Sequence, residues 1–178
     1  SRRHAYEEVK AAVKTLRECD VEPKSYVFPR NNIGHVNVLR ENGIEVFRGV
    51  DARWYEQSTA IKRLRPPLRF ADEAVRWTPP VVEAVERAGI VEVPGSQVFR
   101  PSHGGWQHTP GDSTVARAKK GLRRAARTGG VFHLWFHPFN LGHEPERDLE
   151  RLEQLLMSVQ KLVEQGRIEC LQMSAIEG

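Results

Sequence analysis

Ser25-Tyr-Val-Phe-Pro-Arg-Asn-Asn-Ile-Gly34, followed by Leu39-Arg-Glu-Asn-Gly-Ile-Glu-Val-Phe-Arg48, decides the fold class. Ser25 to Phe28 is a short apolar run that reads as a strand, and Pro29-Arg-Asn-Asn32 is a polar turn after it. Val36, Leu39 and Arg40 suit a short helix that Asn42-Gly43 ends, because glycine accepts the left-handed backbone found past helix termini. Ile44 to Phe47 is the next strand. Upstream, Tyr6, Val9, Ala12, Val13 and Leu16 recur at helical spacing until Glu22-Pro23 closes the segment. The order α, β, α, β with short connections is the pattern of a parallel sheet with right-handed crossover helices.

Outward from that unit the pattern loosens. Pro66-Pro67, Pro79-Pro80, Pro94-Gly95 and Gly104-Gly105 break residues 51–110 into short pieces. Ile90 to Val93 is expected to be a strand, and Asp112-Ser113 to cap a helix that runs to Arg127 and stops at Gly129-Gly130. Val131 to Phe136 is apolar and aromatic apart from one histidine, the pattern of a strand buried on both faces. Leu149, Leu152, Leu156, Val159 and Val163 form an apolar stripe that predicts a helix over residues 146–165, with Gly166 ending it. Ile168 to Leu171 is then expected as the final strand.

Composition limits the function classes. The 178 residues are 39% hydrophobic and 28% charged, which suits one globular α/β domain. The chain opens on Ser1 and a polar, basic segment in which no signal peptide can be read, and the expectation is that the natural N-terminus lies upstream. No apolar run approaches the roughly 20 residues of a membrane-spanning helix. Cys19 and Cys170 lie too far apart in sequence for a metal pair and are read as small, at least half-buried residues. The net charge of +4 and the pI near 9.3 draw on a cluster at Arg117, Lys119, Lys120, Arg123, Arg124 and Arg127. It is read as a solvated helix face rather than a nucleic-acid surface, since no zinc-finger spacing, RNA-binding aromatic signature or heptad array accompanies it.

Chemistry gathers where strands end. In parallel α/β architectures sites form at the C-terminal edge of the strands, and the chain places Pro29-Arg30-Asn31 after one strand and His137-Pro138 after another. At one sheet edge they would supply a fixed positive charge and a group that exchanges protons near neutral pH. Trp135 lies two residues before His137 and therefore on the same face of its strand.

Both motif regions resemble the polysaccharide deacetylases, the NodB-homology family. The Ser25–Gly34 and Leu39–Arg48 segments look like that family's third motif region. Val131-Phe-His-Leu-Trp-Phe-His-Pro-Phe-Asn-Leu141, a long helix and Gly166-Arg-Ile-Glu-Cys-Leu-Gln-Met173 are similar to its last motif and closing strand. Order and spacing agree over residues 5–176. The resemblance implies that the whole chain, 1–178, is one partial domain, the C-terminal part of a distorted (β/α) barrel that hydrolyses acetyl groups on polysaccharide. It implies a divalent metal such as zinc, a metal-bound water, an Asp base oriented by an Arg, and a His that protonates the leaving group. By position Arg30 matches the orienting arginine, His137 the proton donor, and Trp135 the wall of the acetyl pocket. Asn31 beside Arg30 is a candidate substrate contact. Asp51, in Arg48-Gly-Val-Asp-Ala-Arg-Trp-Tyr55, matches a motif that supplies an acid on the substrate side and is expected to act on His137 electrostatically; the alternative is that it caps the following helix.

The departures are equally specific. The family's acidic pair and His-x-x-x-His ligands precede the helix that begins near Ala5, and neither motif occurs in this chain, so the metal ligands and an N-terminal portion are expected from outside it. His103 and His108, flanking Gly-Gly-Trp-Gln, lack helical ligand spacing and read as solvated or sugar-facing, with Trp106 between them able to stack on a sugar. Two functional readings stay open: a deacetylase piece acting on polysaccharide at the cell surface or outside the cell, and a carbohydrate-binding or scaffolding remnant without turnover.

Overall fold

The computed structural model describes residues 1–176. They form a mixed α/β structure of two compact units, one made of Ser1–Val50, Glu83–Pro94 and the described residues from Leu171, the other of Asp51–Val82 and Gly95–Cys170.

The first unit is built on the expected alternation. Helix α1 (Arg2–Arg17) turns Val9 and Val13 inward, strand β1 is Ser25–Val27, helix α2 is Val36–Glu41 and strand β2 is Val46–Arg48. A hairpin adds β3 (Val85–Arg87) and β4 (Ile90–Val93). Its two-residue loop, Ala88-Gly89, has φ of 55° and 74°, the left-handed pair that matches strand twist in tight hairpins. The sheet order is β1-β2-β4-β3. Strands β1, β2 and β4 are mutually parallel, with Ser25 opposite Val46 and Val46 opposite Val91, and β3 runs antiparallel to β4. Val9, Val13, Phe28, Val38, Leu39, Ile44, Phe47 and Ile90 form the core, in which Phe28 and Phe47 meet edge to face with centroids 5.7 Å apart.

In the second unit helices dominate. It contains α3 (Trp54–Gln57), α4 (Arg65–Ala74), α5 (Ser113–Thr128) and α6 (Pro145–Glu164), with a two-stranded parallel sheet of β5 (Gln97–Val98) and β6 (Leu134–Trp135). Asp112 caps α5 as expected, its side chain accepting from the Val115 amide at 3.1 Å. Gly129 ends the helix with φ of 75°. Phe99, Val115, Ala118, Leu122, Leu155 and Leu162 make this unit's core. No helix among the described residues is long and apolar enough to cross a membrane.

Several expectations are corrected. The α6 stripe is only partly in phase: Leu152 and Val159 pack against the core, but the fully buried positions are Asp148, Leu155 and Leu162, and Leu149, Leu156 and Val163 are exposed. The inward face includes a carboxylate that hydrophobicity alone cannot assign. Val131 to Phe136 is no doubly buried strand, since only Leu134–Trp135 pairs with β5 and both are half-buried, while Val131 bridges to Val82. Ile168 to Leu171 forms no strand: the segment is non-repetitive, with Cys170 and Leu171 exposed, and it leads into a short 3₁₀ turn at Met173–Ala175. Both cysteines are exposed. Arg117 leaves the solvated basic face and points inward, where it is paired with Glu73.

Candidate functional site

Register places the chemistry in the second unit. Val98 pairs with Trp135, and the Phe99 amide continues the ladder to the Trp135 carbonyl at 2.8 Å. Chain direction is shared, so both strands present their C-terminal ends at one edge, the side on which parallel sheets build sites. His137 leaves β6 at that edge. Its backbone amide donates to Asn140 Oδ1 at 3.1 Å and its carbonyl accepts from the Asn140 amide at 2.8 Å, which closes the turn Pro138–Leu141. The exposed imidazole stacks on Phe139, with centroids 4.8 Å apart and planes 10° apart, and meets Trp135 edge to face at 5.6 Å. Pleating explains the second contact, since residues two apart on a strand share a face.

Trp135 is held in turn by Asp51. Its indole Nε1–H donates to Asp51 Oδ1 at 2.9 Å, and the Ala52 amide bonds to the Gly95 carbonyl at 2.9 Å, tying the Asp51 segment beside the turn into β5. Gly95 is required there: a Cβ would overlap Asp51 Oδ1 and lie 3.0 Å from Trp135 Nε1. Asp51 is not a helix cap, because α3 starts later and its N-cap is Arg53. The carboxylate expected to act on His137 therefore engages the indole between them.

Below this edge lies a charged layer with little trace in the sequence pattern. Glu73 and Arg117 pair inside the unit, Thr114 Oγ1 donates to Glu73 at 3.3 Å, and Arg117 Nε donates to the Trp77 carbonyl at 3.0 Å. Burial pushes the Glu73 carboxyl up, and the Arg117 charge opposes that shift. Arg53 Nε lies 3.0 Å from Asp72 Oδ2, which also accepts from the Tyr55 hydroxyl at 2.6 Å. Burial first, then that hydrogen bond, raises the Tyr55 phenol above its ordinary range. Arg69 grips Glu56 through two bonds of 2.5 and 2.7 Å, the bidentate geometry that suits a guanidinium.

Arg30 and Asn31 belong to the first unit, in the turn Pro29–Asn31 after β1, so the strands that precede Arg30 and His137 lie in two separate sheets rather than the expected single one. Arg30 is exposed in a turn after β1 with φ of 55°, followed by Asn31 at 53°, a conformation uncommon for residues with a Cβ. Asn31 Oδ1 accepts from Arg48 Nη2 at 2.5 Å, which assigns it a structural partner. Of the loop histidines His108 is exposed, as expected, while the half-buried His103 ring contacts His143, with centroids 4.2 Å apart. Trp106 packs against Phe70, 6.4 Å away, and helps line a cleft of about 190 Å³ with Gln107, Thr109, Asp112 and Arg151.

Among the described residues no three His, Cys, Asp or Glu side chains gather in a way that could hold a metal ion. The metal implied by the resemblance does not fit the described residues, and no chemical step is derived through it. Sequence reading missed the arginine-carboxylate layer, to which Arg100 after β5 also belongs. Arg100 carried a readable signal, since it follows Val98 by two residues and so shares its face. No family model, curated protein or solved structure matches the chain.

Proposed function

We propose that the chain is the later part of a carbohydrate deacetylase domain of distorted (β/α) barrel type, with His137 as the group that protonates the leaving atom. The observation that carries the reading is the run of contacts from Asp51 to the Trp135 indole to the His137 ring at the C-terminal edge of β6. An exposed imidazole braced between two aromatic rings can approach a bound substrate without losing its orientation. As the carbonyl carbon parts from the amine nitrogen or alkoxide oxygen, His137 gives its ring proton to that atom, and a water molecule supplies the oxygen that leaves in acetate. General acid catalysis of this kind contributes about 10²–10⁴-fold. Trp135, fixed by Asp51, offers an apolar wall to the acetyl methyl. The base and the metal ligands of such a reaction are supplied from outside the residues gathered around His137.

A second reading, carbohydrate binding without turnover, draws on Trp54 and Phe139, whose side chains are 67% and 73% exposed and present flat faces of the kind that stack on sugars. Acetate release from acetylated chitooligosaccharide, by the protein as its gene encodes it and supplied with zinc, separates the two. Released acetate supports the deacetylase. Glycan binding with no acetate at any metal concentration supports the second reading, and neither binding nor release contradicts both.

A further inference from the structure

Helix α5 carries charge of one sign. Ser113–Thr128 holds six cations, Arg117, Lys119, Lys120, Arg123, Arg124 and Arg127, and no carboxylate. Arg117 turns inward to Glu73. Lys120, Arg123, Arg124 and Arg127 are exposed and recur at spacings of three and four, which sets them in a row along one face of the helix. Among the described residues no acid pairs with any of these four or with Lys119. Like charges three and four apart repel, so the row is unfavourable in the free protein and becomes favourable against a negative surface.

Beside the row stands an apolar pair. Lys120 Nζ donates to the Arg76 carbonyl at 2.8 Å and Arg117 Nε to the Trp77 carbonyl at 3.0 Å, which fixes the segment after α4 against α5. The Trp77 amide donates back to the Asp72 carbonyl at 3.0 Å, and the Arg76 guanidinium donates to the Pro110 carbonyl at 2.7 Å. On this tied backbone Val75 and Trp77 are nonetheless 65% and 64% exposed. Cations alone suit any polyanion. A valine and an indole held next to them suit a surface that has an apolar layer beneath its charges, which is the boundary between headgroups and acyl chains of a bilayer, where tryptophan is enriched. Duplex nucleic acid and sulfated glycan offer phosphate or sulfate to the arginines and no apolar layer to Val75.

We propose that the outward face of α5, with Val75 and Trp77, docks the protein on a membrane surface rich in anionic lipid: the row of cations meets the headgroups, and the two apolar side chains enter the boundary below them. This is a peripheral attachment, separate from the deacetylase reading and independent of it. Sedimentation of the full chain with vesicles of phosphatidylcholine alone, or of phosphatidylcholine mixed with an equal amount of phosphatidylglycerol, over a salt series tests it. The expected result is binding about tenfold or more tighter to the mixed vesicles, falling as salt rises. The combined variant Arg123→Gln, Arg124→Gln, Arg127→Gln should lose about tenfold or more on the mixed vesicles. Trp77→Ala should lose about threefold, with Trp77→Phe keeping most of the wild-type affinity. The charge variant should unfold near the wild-type midpoint, since exposed substitutions away from buried contacts change stability little; if it does not fold, the salt series and the two Trp77 variants decide. Equal binding to both kinds of vesicle, or undiminished binding by the charge variant, overturns the proposal. Trp77→Ala matching the wild type, with heparin or duplex DNA displacing the vesicles, would make the face a general polyanion surface and overturn the assignment to lipid.

Discussion

The two units keep their charges in opposite places. In the first, ion pairs sit on the outside, as with Lys24–Glu45, Arg2–Glu41 and Arg17–Glu22, while the core cluster is aliphatic and aromatic around a Phe47 that is 0% exposed, and the buried Arg48 donates to the Asn31 side chain. In the second, the pairs go inside: Glu73 with Arg117, and Asp148, 0% exposed, with Arg151 at 2.6 Å. The strand-rich unit is thus held by apolar burial, and the helix-rich unit that carries His137 combines a smaller apolar core with ionic contacts that are costly to break singly. Buried pairs of this kind add less stability than their attraction suggests, because both ions lose water, yet removing one partner strands the other.

That contrast can be broken by substitution. Phe47→Ala should cost about 4 kcal/mol through lost burial and the cavity left behind, read as a drop in the chemical-unfolding midpoint. Glu73→Gln should cost about 3 kcal/mol by leaving Arg117 buried without its acid, whereas the double change Glu73→Met with Arg117→Met should recover most of it. A double variant no more stable than the single would contradict a stranded charge as the cause. Tyr55→Phe should cost about 1 kcal/mol at neutral pH, the usual worth of a hydrogen bond. The folded-state phenol is raised above its unfolded value, so this contribution is complete below about pH 10 and fades as pH rises through the folded value. Wild type and Tyr55→Phe should therefore converge in strongly alkaline solution. At the small end, Lys24→Ala should change stability by less than about 0.5 kcal/mol, since exposed pairs in water gain little, and a larger loss would blur the distinction between the units.

Legibility in the sequence followed the same division. The first unit's helices and strands are written in periodicity, because apolar burial is what holds them and hydrophobic spacing reports it; α1, β1, α2, β2 and β4 stand close to where the pattern puts them. The second unit yielded its caps, Asp112 and Gly129, because those depend on local backbone needs. It hid the phase of α6, where buried Asp148 accepts from the Ser102 amide at 3.0 Å, a long-range bond that no local pattern encodes. The Trp135 and His137 contact was readable from a spacing of two along a strand. The Asp51 hydrogen bond to Trp135 spans 84 residues and needs a glycine at position 95, and nothing near Asp51 announces either. Arg30 could be placed after a strand, but its separation from His137 into another sheet depends on strand pairing, which periodicity does not specify.

The central claim is that His137 handles a proton in breaking a glycan acetyl bond, braced by Trp135 and, through it, Asp51. Steady-state acetate release by the His137→Ala protein, with zinc and an acetylated chitooligosaccharide, tests it most directly. The account predicts kcat lowered by about 10²-fold or more with KM little changed, because the imidazole acts on the breaking bond rather than on substrate affinity. Wild-type turnover in His137→Ala would contradict it.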